Sequence, residues 1–188
     1  MCVDIDWDTY EIKGPPFYEI WKNFESLVDQ GIAKSIGVSN CNAQLYIDIC
    51  AGARIRPVMN QIEINPHMSQ TKLIGFLKKF GCNFTAYAPM GASSFSGNQV
   101  LQDETIKEIA EKYNATPAQI SLAWNMSRDV CVIPKSTNPE RMKQNFDALD
   151  IQLEQEDIDK IFALNKDARF FDPGNWEAHS WMLSPIFA

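Results

Sequence analysis

The chain of 188 residues is 45% apolar and 22% charged, the balance of one globular domain with a sizeable core. Seventeen Lys and Arg against 24 Asp and Glu leave a net charge of −7, which repels nucleic acid and anionic lipid. No run of 18 apolar residues offers a membrane span, and the acidic start Met1-Cys2-Val3-Asp4-Ile5-Asp6 lacks the positive region of a signal peptide. The five cysteines, Cys2, Cys41, Cys50, Cys82 and Cys131, lie far apart without a C-x-x-C pair. Neither His67 nor His179 has a Cys beside it to complete a zinc site. Free thiols, no metal and a cytoplasmic location are the expectation.

In chain order, the first helical pattern covers residues 16–30, with Ile20, Phe24, Leu27 and Val28 on one face and Gly31 as its stop. An apolar strand candidate follows at 35–39, then a helix over 42–51 with Leu45, Ile49 and Cys50 inward. A strand at 58–64 precedes a helix that Ser69 caps, that carries Leu73, Ile74 and Leu77, and that stops at Gly81. The third strand candidate is 83–89. Asp103 caps the next helix, and Thr116-Pro117 opens another through Ile120, Leu122 and Trp124. After a fourth strand at 130–134, Asn138-Pro139 opens a helix, and Ile158, Ile161 and Phe162 mark a last one. Strands alternating with helices predict right-handed βαβ units in a parallel sheet. Without a repeat or linker, residues 1–188 read as one domain, ending in an aromatic tail at 165–188.

Ligands of parallel α/β sheets gather at the carboxyl ends of the strands. Those ends read Gly37-Val38-Ser39-Asn40, Asn60-Gln61-Ile62-Glu63, Tyr87-Ala88-Pro89-Met90-Gly91 and Ile133-Pro134-Lys135-Ser136. Taken singly, Ser39-Asn40 equally suits a helix cap, Gln61 a turn and Tyr87 the core. The fourth end is sharper. Lys135, Ser136 and Arg141 flank the helix opened by Asn138-Pro139, and a helix N-terminus beside two cations favours an anion.

Together with Gln30-Gly31-Ile32-Ala33-Lys34-Ser35-Ile36, Pro139-Glu140-Arg141, Asn145-Phe146 and Arg169-Phe170-x-Asp172-Pro173, these motifs resemble, in order and spacing, an aldo-keto reductase. The resemblance runs from about Pro15 to the end. It implies part of a (β/α)₈ barrel, namely strands five to eight with their helices, binding NADP(H). By that likeness Ser39, Asn40 and Gln61 would hold the nicotinamide carboxamide and Tyr87 would stack on the ring. Lys135, Ser136 and Arg141 would take the 2′-phosphate, and Gln144 and Asn145 would face adenine. Phe170, Phe171, Trp176 and Trp181 would wall the substrate pocket. The chain departs from the family pattern at Ala88, where a serine is common, at Gln144, where a glutamate is common, and at Asn65-Pro66-His67.

The tyrosine, lysine, aspartate and histidine that protonate and orient the carbonyl in that family sit on its first four strands, and none has a counterpart here. Tyr10, near Asp8 and Lys13, matches no family element, and a tyrosine without a buried cation keeps a pKa near 10. No residue is therefore assigned a catalytic role. Two readings stay open: the cofactor half of a carbonyl-reducing oxidoreductase, or a pseudo-enzyme or assembly component on the same scaffold. In either, a four-stranded half-barrel leaves two edges and an apolar open face. A second copy or another protein is expected to cover them.

Overall fold

The computed structural model describes residues 4–6, 11–91 and 99–172. Its centre is a four-stranded parallel sheet in the order β3(Val38–Ser39), β4(Met59–Glu63), β5(Asn83–Tyr87), β6(Val130–Val132). Each crossover is helical: α2(Ala43–Gly52), then α3(Thr71–Leu77), then the group α4(Gln99–Gln102), α5(Glu104–Lys112) and α6(Pro117–Met126). α1(Phe17–Asp29) precedes the sheet, and α7(Pro139–Asp147) and α8(Gln155–Phe162) follow it. The α/β class and the four strands agree with the sequence reading, and β3 and β6 form the edges. A two-stranded antiparallel ribbon, β1(Asp4–Asp6) with β2(Glu11–Lys13), was not expected. Its three-residue strands are too short to show a period. Among the described residues no helix is long and apolar enough to cross a membrane.

Register sorts the strand side chains into two faces. Val38, Asn60, Phe84 and Val130 form one row, and Ser39, Gln61, Thr85 and Cys131 the next. Because strand side chains alternate, these rows point to opposite sides. The first is buried among Trp21, Tyr46, Ile49, Leu77, Ile106, Ile120, Trp124 and Ile161 of the covering helices. Asn60 is the polar member, and it is satisfied by Cys41: Cys41 N donates to Oδ1 (3.3 Å) and Nδ2 to Cys41 O (2.8 Å). Gly37 stands where the sheet is tightest, since a Cβ there would meet the Met59 carbonyl oxygen at 2.8 Å.

The second face corrects an expectation. It is not apolar, for Ser39, Gln61, Thr85, Glu63 and Tyr87 dominate it. The alternation Asn60-Gln61-Ile62-Glu63 turns the two longest polar side chains away from the helices. A stripe of exposed apolar residues lies instead on α7 and the turn that follows it. α7 buries no residue, and Met142, Phe146 and Leu149 are 54%, 69% and 60% exposed along one side of it and the following turn.

Several helix faces also differ from the periodic reading. α1 buries Trp21 and Glu25 rather than Phe24, because the two clasp the backbone of one residue: Trp21 Nε1 donates to Ile55 O (2.9 Å) and Ile55 N to Glu25 Oε1 (2.8 Å). α2 turns Tyr46 inward rather than Leu45, with the phenol donating to Pro57 O (2.7 Å). Ser69 does not cap α3. Its N–H donates to Asn165 Oδ1 and its carbonyl accepts from Arg128 Nη2, so left-handed Gln70 (φ 52°) precedes the helix. The caps at Asp103, Thr116 and Asn138 are present as expected. Asp157 locks α8 to α5, accepting from Lys112 Nζ (2.6 Å) and Tyr113 OH (2.8 Å), and the ammonium holds its carboxyl below the usual range. Cys41 and Cys82 are buried free thiols, and burial pushes Cys41 up to about 11.

Candidate functional site

Four of the candidate residues meet where β3, β4 and β5 end. Asn40 N donates to Gln61 O (2.9 Å), and Ser39 Oγ donates to the same carbonyl (2.9 Å). Tyr87 OH donates to Asn40 Oδ1 (3.1 Å), joining the outer strand to the third across the sheet. The Gln61 side-chain amide makes no hydrogen bond among the described residues, so both its donor and its acceptor remain available. Asn40 (φ 55°) and Ala88 (φ 46°) are left-handed although neither is glycine, and such strain collects at functional sites. The turn that carries Ala88 is held from beneath: Ser121 Oγ donates to Pro89 O (2.6 Å), and Asn125 Nδ2 reaches the same oxygen (3.4 Å). Burial, then the nearby Glu63 carboxylate, pushes the Tyr87 phenol up, so it stays protonated at neutral pH.

A groove of about 740 Å³ leads from Tyr87 along the ends of β5 and β6 to the start of α7. It is lined by Lys135, Ser136, Arg141, Gln144 and Asn145 at one end and by Tyr87 and Phe171 at the other. Asn138 caps α7 by accepting from Arg141 N (3.0 Å), and Ser136 Oγ accepts from Asn138 N (3.1 Å). Neither the Lys135 ammonium nor the Arg141 guanidinium has an anionic partner among the described residues. Both cations stand at the positive end of a nine-residue helix, an arrangement whose chemistry suits an anion. The sequence missed Thr116, Pro117 and Ala118, which also line the groove, since that capping box reads only as a helix start. A hollow of about 820 Å³ between α3 and α8 contains none of the candidate residues.

The start of the tail closes the Tyr87 end. Phe171 meets the Tyr87 ring edge-on, centroids 5.9 Å apart and planes at 78°. Phe170 lies beside it, half-buried. Trp176, Trp181 and His179 lie outside the described residues, as does Tyr10. His67 is buried, with Nε2 3.1 Å from Asp103 Oδ2 and its carbonyl accepting from Lys166 N and Ala168 N. The loop at Asn65-Pro66-His67 thus receives residues 166–168 through a backbone carbonyl.

Comparison with known proteins agrees with this architecture. The model of the Aldo/keto reductase family matches residues 2–166. A probable NAD(P)H-dependent D-xylose reductase of Aspergillus niger is 42% identical over 189 residues, covering 96% of this chain and 58% of its own length. Aldose reductase B of Dictyostelium discoideum is 42% identical over 158 residues, covering 84% of this chain and 50% of its own. The structure of aldose reductase from Giardia lamblia superposes with a TM-score of 0.85 at 34% identity, over 99% of this chain and 62% of that one. The chain belongs to the aldo/keto reductase family. It spans little more than half the length of the curated relatives it matches. The family match reaches back to residue 2, upstream of Pro15 where the sequence motifs begin, and stops at 166, before the tail motif.

Proposed function

We propose that this chain carries the NADP(H)-binding part of a carbonyl reductase acting on small aldehydes of the aldose type. The groove that joins the cations at the start of α7, without an anionic partner among the described residues, to the polar cluster at the ends of β3, β4 and β5 carries this reading. The relatives named as D-xylose and aldose reductases support the substrate class.

The donor set fits the group. Lys135, Ser136 and Arg141 would take the 2′-phosphate, with Arg141 able to offer two parallel N–H bonds. Gln144 and Asn145 would face the adenine. At the far end Ser39, Asn40 and Gln61 would bind the carboxamide, the free Gln61 amide offering one donor and one acceptor. That orients the ring, while Tyr87 supports its flat face and Phe170 and Phe171 wall the substrate side. When bound, the dinucleotide supplies the hydride. The protonated Tyr87 phenol is engaged with Asn40 and is a platform rather than the acid. The proton comes from residues outside these four strands.

Residues 1–188 act as one domain in this reading. The exposed Met142–Phe146–Leu149 stripe and the two open sheet edges favour a protein surface covering them, whether a second copy or another polypeptide. The same stripe is what an assembly component without activity of its own would use. Titrating NADPH into the chain while following tryptophan fluorescence should give saturable quenching. A flat titration removes the cofactor reading and leaves the assembly reading standing.

A further inference from the structure

Glu63, the last residue of β4, is fully buried, yet it takes no place in the groove. Its two carboxylate oxygens are divided between two consecutive peptides of the tail. Phe170 N donates to Oε1 (2.9 Å) and Phe171 N to Oε2 (3.1 Å), with Asn65 Nδ2 adding a longer bond to Oε1 (3.4 Å). Burying a carboxylate is costly unless its lone pairs are filled, and here adjacent backbone N–H groups fill them. Two bonds to successive peptides set rotation as well as position, so the clamp determines where the Phe171 ring points. That ring is the edge that meets Tyr87, and Tyr87 is in turn hydrogen-bonded to Asn40. The contacts therefore run from Glu63 through Phe171 to Tyr87 without Glu63 lining the groove.

We propose that Glu63 is a positioning residue: by fixing the Phe170–Phe171 backbone it sets the orientation of Tyr87 against the nicotinamide. This rests on the cofactor reading above, and extends it to a residue that reading leaves without a role. Glu63→Gln keeps the shape but replaces one acceptor oxygen with a donor, so one of the two tail N–H groups loses its partner. Phe171→Leu breaks the same path one step later and leaves the buried carboxylate alone.

The test is a binding comparison on the full chain with two probes, NADPH and adenosine 2′,5′-bisphosphate, which has no nicotinamide. Both variants should bind NADPH ~tenfold more weakly, about the effect of one charge-assisted hydrogen bond. Both should bind the bisphosphate like the parent, which also shows that they are folded. The double variant should lose no more than the weaker single one, since both changes cut one path. Unchanged NADPH binding in Glu63→Gln, equal losses for both probes, or additive losses in the double variant would each overturn the clamp. Failure of the parent chain to bind NADPH at all would instead overturn the reading on which it stands.

Discussion

Arg141→Met is expected to weaken NADPH binding by ~1.5–3 kcal/mol, the range for hydrogen bonds to a charged group, while leaving NADH almost unchanged. The asymmetry follows from where Arg141 sits. It lies in the first turn of α7, its backbone N–H spent on the Asn138 cap and its guanidinium free of anionic partners among the described residues. Lys135 and the helix dipole add to the same positive site. Only a ligand with a phosphate on the adenosine ribose uses it. Competitive titration of both nucleotides against the variant measures the difference directly. Equal losses for NADPH and NADH would show that Arg141 affects the groove generally and reads no 2′-phosphate.

Trp124→Ala should cost ~3–5 kcal/mol of folding stability, the usual loss for a buried large aromatic. Trp124 is wholly buried on α6, and its ring meets Phe162 of α8 edge-on at 5.3 Å. The Arg128 guanidinium lies 4.5 Å from the Trp124 ring centroid and 4.8 Å from that of Phe162, a cation held between two rings. Burial lowers Arg128 to about 10, which leaves it charged at neutral pH, and its Nη2 donates to Ser69 O. Removing the indole therefore opens a cavity and loosens the cation that holds the β4–α3 loop. Urea unfolding should show a lower midpoint with the slope preserved. A loss under ~1 kcal/mol would mean that the site collapses around the gap and that the aromatic stack contributes little.

Local chemistry made much of this legible in advance. Asp103, Thr116-Pro117 and Asn138-Pro139 announce helix starts because their side chains satisfy free N–H groups within three residues, a relation entirely contained in the sequence. The strand ends were equally readable, since polar residues follow apolar runs there, and the structure brings Ser39, Asn40, Gln61 and Tyr87 together. What periodicity could not show were choices made by distant partners. α1 turns Trp21 and Glu25 inward because Ile55 waits for both, and Ser69 gives up its cap to Asn165 and Arg128. Glu63 stood in a recognised motif, and alternation already placed it on the face of Gln61. Its role depends on peptides more than a hundred residues later, which no local pattern encodes. The polar character of the open face follows from the same alternation, which sends Gln61 and Glu63 to one side of β4.

That the two ends of one dinucleotide occupy two separate clusters is tested most directly by mapping each half alone. Backbone amide resonances of the labelled chain would be followed while adenosine 2′,5′-bisphosphate and nicotinamide mononucleotide are added in separate titrations. The first should move Lys135, Ser136, Arg141 and Asn145, and the second Ser39, Asn40, Gln61 and Tyr87. Two probes that shift the same residues, or neither set, would contradict it.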